Sequence, residues 1–225
     1  MGTIFVYLVS NSTISGEQKV CFARILAKDL LDKDPVIKWI EFLPDPAIAA
    51  VKESHMAGLV GLRISIHDVT ENGPYDWSKG VWGARIPKRP GNLKARVYIY
   101  QCRDLPSADS DGTSDPFVMI TDSDIPQRTV TIEDNLNPIF YQALDLIYEA
   151  NSVEEMPPFI VDCYDEDPGL AGTKPTSDFL NRAVIPVKDI EFSEGDTIMK
   201  PRWFPLKMSS KSPASGEILL SFAIV

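Results

Sequence analysis

Long hydrophobic runs and paired cysteines are both missing from this sequence of 225 residues. No apolar run approaches the roughly 20 residues that a membrane-spanning helix requires, and the first ten residues lack the basic segment that begins a signal peptide. The three cysteines, Cys21, Cys102 and Cys163, each stand alone in a strand-like run. An odd number of isolated cysteines favours a reducing compartment over a disulfide framework.

Catalytic signatures are scarce as well. The two histidines, His55 and His67, have no neighbouring Cys or His at the spacing of metal ligands. Residues 93–225 contain no histidine to act as a general base, and no G-x-S-x-G or phosphate-binding glycine loop appears. We therefore predict that the protein is not an enzyme.

Basic residues are few in the second half of the chain. Residues 93–225 hold 11 Lys and Arg against 22 Asp and Glu, a net charge of −11, whereas residues 1–92 have a net charge of +1. Nucleic-acid binding needs basic patches that neutralise phosphates, so nucleic acid is not expected as a partner. Solubility explains most surface acids, but it does not explain why many of them are concentrated in two loops.

The distribution of prolines and apolar residues predicts an all-β fold. Eighteen prolines and strand-length apolar runs are typical of a chain with many turns. Residues 93–225 contain about eight such runs, and their spacing predicts an antiparallel eight-stranded β-sandwich.

The region before this domain is also rich in β-branched and aromatic residues. Residues 1–72 are predicted to form a smaller β-rich segment, either half of a sandwich or a unit that folds by itself, with one short helix from Asp45 to about Ser54. Residues 73–92 combine Pro and Gly with two tryptophans, which indicates a connector that packs on its neighbours.

Two acidic loops are the most informative feature of the sequence. The first, LPSADSDGTSDPF at 105–117, holds Asp109, Asp111 and Asp115. The second holds Asp162, Asp165, Glu166 and Asp167, with Asp178 after a Gly/Pro-rich gap. Calcium takes six to eight oxygen ligands in flexible geometry, so carboxylates from two separate loops suit it. Asp165 and Asp167 are two residues apart and can point to the same side of an extended strand.

Residues 93–225 resemble a C2 domain. The matching runs are LP at 105–106, SDPF at 114–117, NLNP at 135–138, YDED at 164–167, SDFL at 177–180, WFPL at 203–206 and GEI at 216–218. The longer runs YQCRDLPSADSDGTSDPFV and RWFPLKMSSKSPASGEILLSFAIV are similar to a central C2 domain of the ferlins, large membrane-fusion proteins with several C2 domains. Residues 1–92 resemble the ferlin segment just upstream, so we expect an internal fragment of such a protein.

The resemblance implies a set of calcium ligands. They are Asp109, Asp115, Asp165, Asp167 and Asp178. We expect Asp111, Asp162 and Glu166 to be bystanders, and we expect Asp162, which alternates within a strand, to be exposed on it. The chain departs from the family pattern through the insertion PGLAGTKPTS before Asp178 and through Asn181, which stands where glycine is usual. Leu170 in the insertion either contacts a bilayer or packs against its own loop.

Two functions are compatible with the sequence. The ferlin resemblance implies a calcium-dependent, phospholipid-binding module of a protein in membrane fusion or vesicle trafficking such as exocytosis. Its partners would be an anionic phospholipid membrane and other domains of the same larger protein, and it would work at the cytoplasmic face of membranes, with the usual C-terminal anchor of ferlins not visible in this chain. The alternative is a rigid scaffold or protein-interaction module in which calcium is structural or absent. The net charge and the lack of a lysine-rich strand favour this alternative.

Overall fold

The chain forms two compact units, residues 1–90 and residues 91–225. The structure, a computed structural model, describes residues 3–12, 16–26, 38–44, 58–62, 91–121, 126–167, 176–193, 200–209 and 212–225. Nearly all of the regular secondary structure within these ranges is β, as the composition predicts. No helix in the described ranges has the length and apolar character needed to cross a bilayer.

The described residues of the first unit form two small antiparallel sheets. Its strands are β1 (Thr3–Ser12), β2 (Gly16–Leu26), β3 (Lys38–Glu41), β4 (Leu43–Pro44) and β5 (Leu59–Leu62). One sheet has the order β1–β2–β4, and the other pairs β3 with β5. The helix predicted from Asp45 to Ser54 lies outside the described residues, as does the predicted connector at 73–92 except for its last two positions, and both stay predictions.

The described residues of the second unit form eight longer strands and one strand of two residues. They are β6 (Asn92–Arg103), β7 (Pro116–Thr121), β8 (Pro126–Arg128), β9 (Ile139–Glu149), β10 (Phe159–Asp167), β11 (Thr176–Ile185), β12 (Phe192–Ser193), β13 (Arg202–Lys207) and β14 (Ala214–Ile224). The hydrogen-bonded order is β8–β7–β10–β11–β13–β14–β6–β9. The described pairs are antiparallel except that β12 pairs with β14 in parallel.

This ladder of strands folds over so that its two halves share one core. The ring of Phe159 on β10 lies 4.9 Å from that of Phe222 on β14, centroid to centroid. The Sγ atoms of Cys102 on β6 and Cys163 on β10 are 4.0 Å apart. Between the halves, β11 and β13 are joined by a single residue pair, which we call the seam. The fold is therefore the predicted antiparallel β-sandwich.

Two of the strands have clearly different bounds from those that the sequence predicts. The run QRTVTI predicts a strand at 127–132, but β8 ends at Arg128. The reason is that the Thr129 hydroxyl accepts the hydrogen bond of the Val118 N–H (2.9 Å) and so replaces a backbone acceptor. The sixth strand of the domain is predicted from 181, but β11 begins at Thr176 because its polar first residues pair with the end of β10.

The expectation that Asp162 is exposed is wrong. Arg182 lies directly opposite Asp162 in the β10–β11 ladder, and its Nε and Nη2 donate to the two carboxylate oxygens at 2.5 and 2.8 Å. Only 6% of the Asp162 side chain is exposed. The sequence alone does not show this pairing, because it does not give the register between the two strands.

Replacing Arg182 by Met is expected to lower the free energy of unfolding by about 3–5 kcal/mol, because it leaves the buried carboxylate without a counterion. Urea unfolding measures this. Lys94→Met is the matched control: Lys94 pairs with Asp145 at 2.8 Å on the surface, and its loss should change the free energy of unfolding by only about 0–1 kcal/mol. The double variant Asp162→Val/Arg182→Met should recover most of the loss. If Arg182→Met left the free energy of unfolding unchanged, burial of the pair would have no energetic consequence.

Candidate metal centre

Asp109 is held in a tight loop between β6 and β7. Its backbone N–H donates to the carbonyl of Thr113 at 3.1 Å, and its own carbonyl accepts from the N–H of Gly112 at 3.2 Å. Gly112 has φ of +91°, a backbone conformation that residues with a side chain rarely adopt. Asp111 instead accepts hydrogen bonds from the N–H and the hydroxyl of Thr113 at 3.0 and 2.7 Å. Its carboxylate therefore serves its own loop.

The neck of this loop is fixed from inside. Ser114 is fully buried; its hydroxyl accepts from the Ala108 N–H at 2.9 Å and donates to the Pro106 carbonyl at 3.1 Å. Leu105 is buried in the core beside it. The position of Asp109 thus depends on a closed hydrogen-bonded neck rather than on the loop tip alone.

Strand β10 supplies the other acidic residues by simple alternation. Asp165 and Asp167 point to one side and Glu166 to the other, where Arg128 donates two hydrogen bonds to its carboxylate at 2.9 and 3.1 Å. The Thr131 hydroxyl donates to the same carboxylate. Glu166 is therefore neutralised on the far side of the strand, while its two neighbours are free to face the first loop.

Asp109, Asp165 and Asp167 form a cluster, here called the acidic triad. One carboxylate oxygen of each lies within 4.8 Å of the others. Two oxygens on opposite sides of a calcium ion, each about 2.3–2.6 Å from it, would be separated by about this distance. Among the described residues, no Lys or Arg forms an ion pair with the triad. An oxygen-only, anionic donor set of this kind fits a hard cation.

The other two predicted ligands lie beside the triad and outside its shared set of oxygens. The N–H of Asp115 donates to Asp165 Oδ1 at 2.5 Å, and Asp115 Oδ1 accepts from the N–H of Asp134 at 2.8 Å. Asp178 is directly opposite Asp165 in the β10–β11 ladder and its side chain is exposed. Leu170 lies outside the described residues.

Asp134 is an acidic residue at this site that the sequence reasoning missed. Its backbone is left-handed, with φ of +52°, and its Oδ1 accepts from the Thr113 hydroxyl at 3.3 Å. The next residue, Asn135, donates its N–H to the carbonyl of Ser114 at 2.8 Å. The only sequence signal is that Asp134 immediately precedes the NLNP turn, which gives no hint that this turn docks on the first loop.

The charges of the site are not balanced. Partial burial raises the pKa of Asp109, and the charges of Asp115, Asp111 and Asp167 raise it further. Burial also raises the pKa of Asp165; the N–H of Asp115 opposes this, and the charges of Asp109 and Asp167 add to it. Hydrogen bonds from Thr113 lower the pKa of Asp111 instead. The fold therefore holds mutually repelling carboxylates together, an arrangement typical of functional sites.

Asn181, the residue that replaces glycine, is fully buried. Its Nδ2 donates to the carbonyl of Ser215, while its Oδ1 has no hydrogen-bond partner among the described residues. It lies opposite Cys163, two residues before Asp165 on β10. The departure from the family pattern thus places a polar group in the core beneath the site.

A family model described as the C2 domain matches residues 93–206. The chain belongs to the C2 domain family. It is 29% identical over 137 residues to myoferlin of Xenopus tropicalis and 30% identical to human myoferlin, each match covering 58% of this chain. Fer-1-like protein 4 of mouse is 26% identical over 236 positions, and that match covers 94% of this chain. The predicted resemblance to the ferlins is confirmed, and the chain spans only 6–11% of the length of these relatives.

Solved structures similar to this domain have lower sequence identity. A single C2 domain of plant extended synaptotagmin 1 is 18% identical, with a TM-score of 0.47 over 61% of this chain and 96% of that one. The calcium-bound pair of C2 domains of extended synaptotagmin 2 is 22% identical, with a TM-score of 0.44 over 62% of this chain and 47% of that one.

Because the triad is repulsive without metal, Asp165→Asn should stabilise the metal-free protein. We expect its free energy of unfolding in EGTA to rise by about 1 kcal/mol, the Coulomb energy of two unit charges at roughly this separation in water. The Asn Oδ1 retains the acceptor for the N–H of Asp115. Asp111→Asn removes a charge of the same sign from the first loop but should give no gain, since that carboxylate accepts two hydrogen bonds. Equal effects of the two changes on urea midpoints would contradict the idea of local repulsion.

Proposed function

We propose that this C2 domain binds calcium and, with calcium bound, attaches to membranes that contain anionic phospholipids. Its place would be the cytoplasmic face of membranes, in a ferlin-like protein of membrane fusion or vesicle trafficking. The observation that carries the proposal is the acidic triad: three carboxylate oxygens, one from the first loop and two from the end of β10, lie within 4.8 Å of one another.

Each ligand has a distinct role in the proposal. Asp109, Asp165 and Asp167 would hold the ion directly. Asp115 has one carboxylate oxygen available to bind the ion, because its other oxygen, Oδ1, accepts a hydrogen bond from the N–H of Asp134. Asp178 would join them from β11. Oxygen ligands from carboxylates and neighbouring backbone carbonyls are those that calcium prefers.

Calcium dependence follows from the charge balance of the domain. Several arginines of the strands are already paired with acids: Arg96 with Asp145, Arg103 with Glu217, Arg128 with Glu166 and Arg182 with Asp162. Without metal the acidic end of the domain would therefore repel an anionic bilayer. Bound calcium would reverse the local sign, and anionic headgroups would be attracted over about a Debye length.

A scaffold function is the second candidate. The same arginine pairing favours it, because these four guanidinium groups are then not available to form a basic patch for lipid headgroups. In that case calcium would be structural or absent, and the partners would be other domains of the longer protein.

Loss of the triad should abolish both calcium binding and membrane attachment. We expect calorimetry to detect calcium binding by the wild type and not by Asp165→Asn/Asp167→Asn, and flotation with phosphatidylserine vesicles to follow the same pattern. Calcium at about 100 times its Kd should raise the free energy of unfolding of the wild type by about 2.7 kcal/mol.

The matched control is Glu149→Gln/Asp189→Asn, which removes two exposed negative charges outside the acidic loops. It should bind calcium and vesicles as the wild type does. Calcium binding without flotation would favour the scaffold function, and no heat at millimolar calcium would refute the metal site.

Protons should compete with calcium. Because their pKa values are raised, Asp109 and Asp165 are protonated at a higher pH than an ordinary aspartate, whose pKa is about 3.9. Calcium binds the ionised carboxylates. The affinity of the domain for calcium should therefore fall as the pH is lowered toward the raised pKa values, and calcium binding should release protons. Calorimetry at about pH 7 and about pH 4, in buffers of different ionisation enthalpy, measures both. Constant affinity across this range would contradict the prediction.

A further inference from the structure

Strand β9 begins with a bulge that holds a tyrosine in an unusual conformation. In the β6–β9 ladder Gln142 lies opposite Ile99 and Ile139 opposite Gln101, so β9 has one extra residue at this point. Tyr141 lies within this bulge and has φ of +48°. A bulky residue in this region is a genuine outlier, and Tyr141 is 76% exposed.

Three exposed apolar residues at or near this bulge are here called the β9 patch: Val130, Ile139 and Tyr141. Val130 and Ile139 are 53% and 55% exposed. The Val130 N–H donates to the side-chain oxygen of Gln142 at 3.0 Å, which brings the residues that follow β8 beside β9. Tyr100 supports Tyr141 edge-on, with ring centroids 6.0 Å apart.

The β9 patch is tied to the end of the sandwich that carries the acidic triad. Two hydrogen bonds hold the loop that leads into β9. The N–H of Asp134 donates to the Asp115 carboxylate at 2.8 Å. The side-chain oxygen of Asn137 accepts from the N–H of Asp104 at 3.0 Å. Ile139 follows Asp134 by five residues, so the two lie at most about 17 Å apart. A membrane that meets the triad is therefore within reach of the patch.

The tip of the first loop offers no comparable surface. Residues 110–113 are Ser, Asp, Gly and Thr, and the Asp and Thr side chains hydrogen-bond each other. This tip has no apolar side chain to place in a bilayer.

We propose that the β9 patch is a bilayer-contacting surface, so that the domain lies tilted onto the start of β9 instead of inserting the tip of its first loop. The inference rests on the proposed calcium-dependent membrane binding. Tyrosine has an apolar ring and a polar hydroxyl and is suited to the membrane–water interface. A lipid surface is favoured over a protein partner because the patch adjoins the site where anionic headgroups would be drawn by calcium. Strain kept at an exposed residue is typical of functional positions.

Tyr141→Gly separates a structural role from a membrane role. Glycine adopts the left-handed conformation without strain, so this variant should be at least as resistant to urea as the wild type. Its partition onto phosphatidylserine vesicles in calcium should nevertheless weaken about fivefold, and that of Ile139→Ser/Tyr141→Gly about tenfold, through lost apolar contact. Calcium affinity measured by calorimetry without lipid should be unchanged.

Ile147→Ser is the matched control. Ile147 lies on the same strand and is 54% exposed, but it is eight residues, or about 26 Å, from Ile139. Its replacement should leave vesicle binding unchanged.

A probe gives the position of the surface directly. The native cysteines are buried, so Tyr141→Cys and Ser110→Cys can each be labelled with an environment-sensitive dye. The dye at 141 should be quenched by lipid-borne nitroxides in calcium, and the dye at 110 should be quenched less.

The outcomes distinguish the inference from the proposed function. If the wild type does not bind vesicles in calcium, the proposed function fails and the inference with it. If the wild type binds but both β9 variants bind equally well and the dye at 141 stays in water, only the inference is overturned. The patch would then be a surface for a protein partner.

Discussion

Repulsion among three carboxylates is the constraint on which the rest of the domain depends. Asp109, Asp165 and Asp167 are brought together although their like charges repel one another, and a flexible chain would separate them. The sandwich prevents this with ordinary devices: a closed neck at Ser114, the pairing of β10 with both of its neighbours, and a backbone hydrogen bond from Asp115 to Asp165. The same hydrogen bonds and strand pairings thus stabilise the framework and hold the triad in position to bind a cation.

The two faces of β10 show how this is achieved within one strand. Glu166 faces outward to Arg128, while the residues on either side face the triad. Arg128 also lies 4.0 Å over the ring of Phe117, and that ring stacks on Tyr164 at 5.6 Å. The counterion and the aromatic rings stiffen the end of the strand from the side opposite the metal site. Because Arg128 is used in this way, the carboxylates of the triad are left for an external cation.

Much of this could be predicted from the sequence because it depends on local pattern. Alternation predicted the strands, and the spacing of Asp165 and Asp167 placed both on one side of β10. The features that could not be predicted depend on register between distant segments. Asp162 is buried because Arg182 happens to lie across from it, and Asp134 joins the site because the NLNP turn docks on a loop 19 residues earlier. The short β8 has a similar cause, since a single hydroxyl of Thr129 outcompetes a ladder bond.

The seam between β11 and β13 gives the sandwich an uneven mechanical character. One residue pair, Arg182 with Lys207, closes the ladder there, and beyond it a groove of about 520 Å³ opens, lined by residues that include Val184 and Phe204. Backbone amides along these facing edges have few partners across the gap, so hydrogen exchange should begin here. Because Arg182 is also the counterion of Asp162, opening the seam exposes a buried charge in the same step.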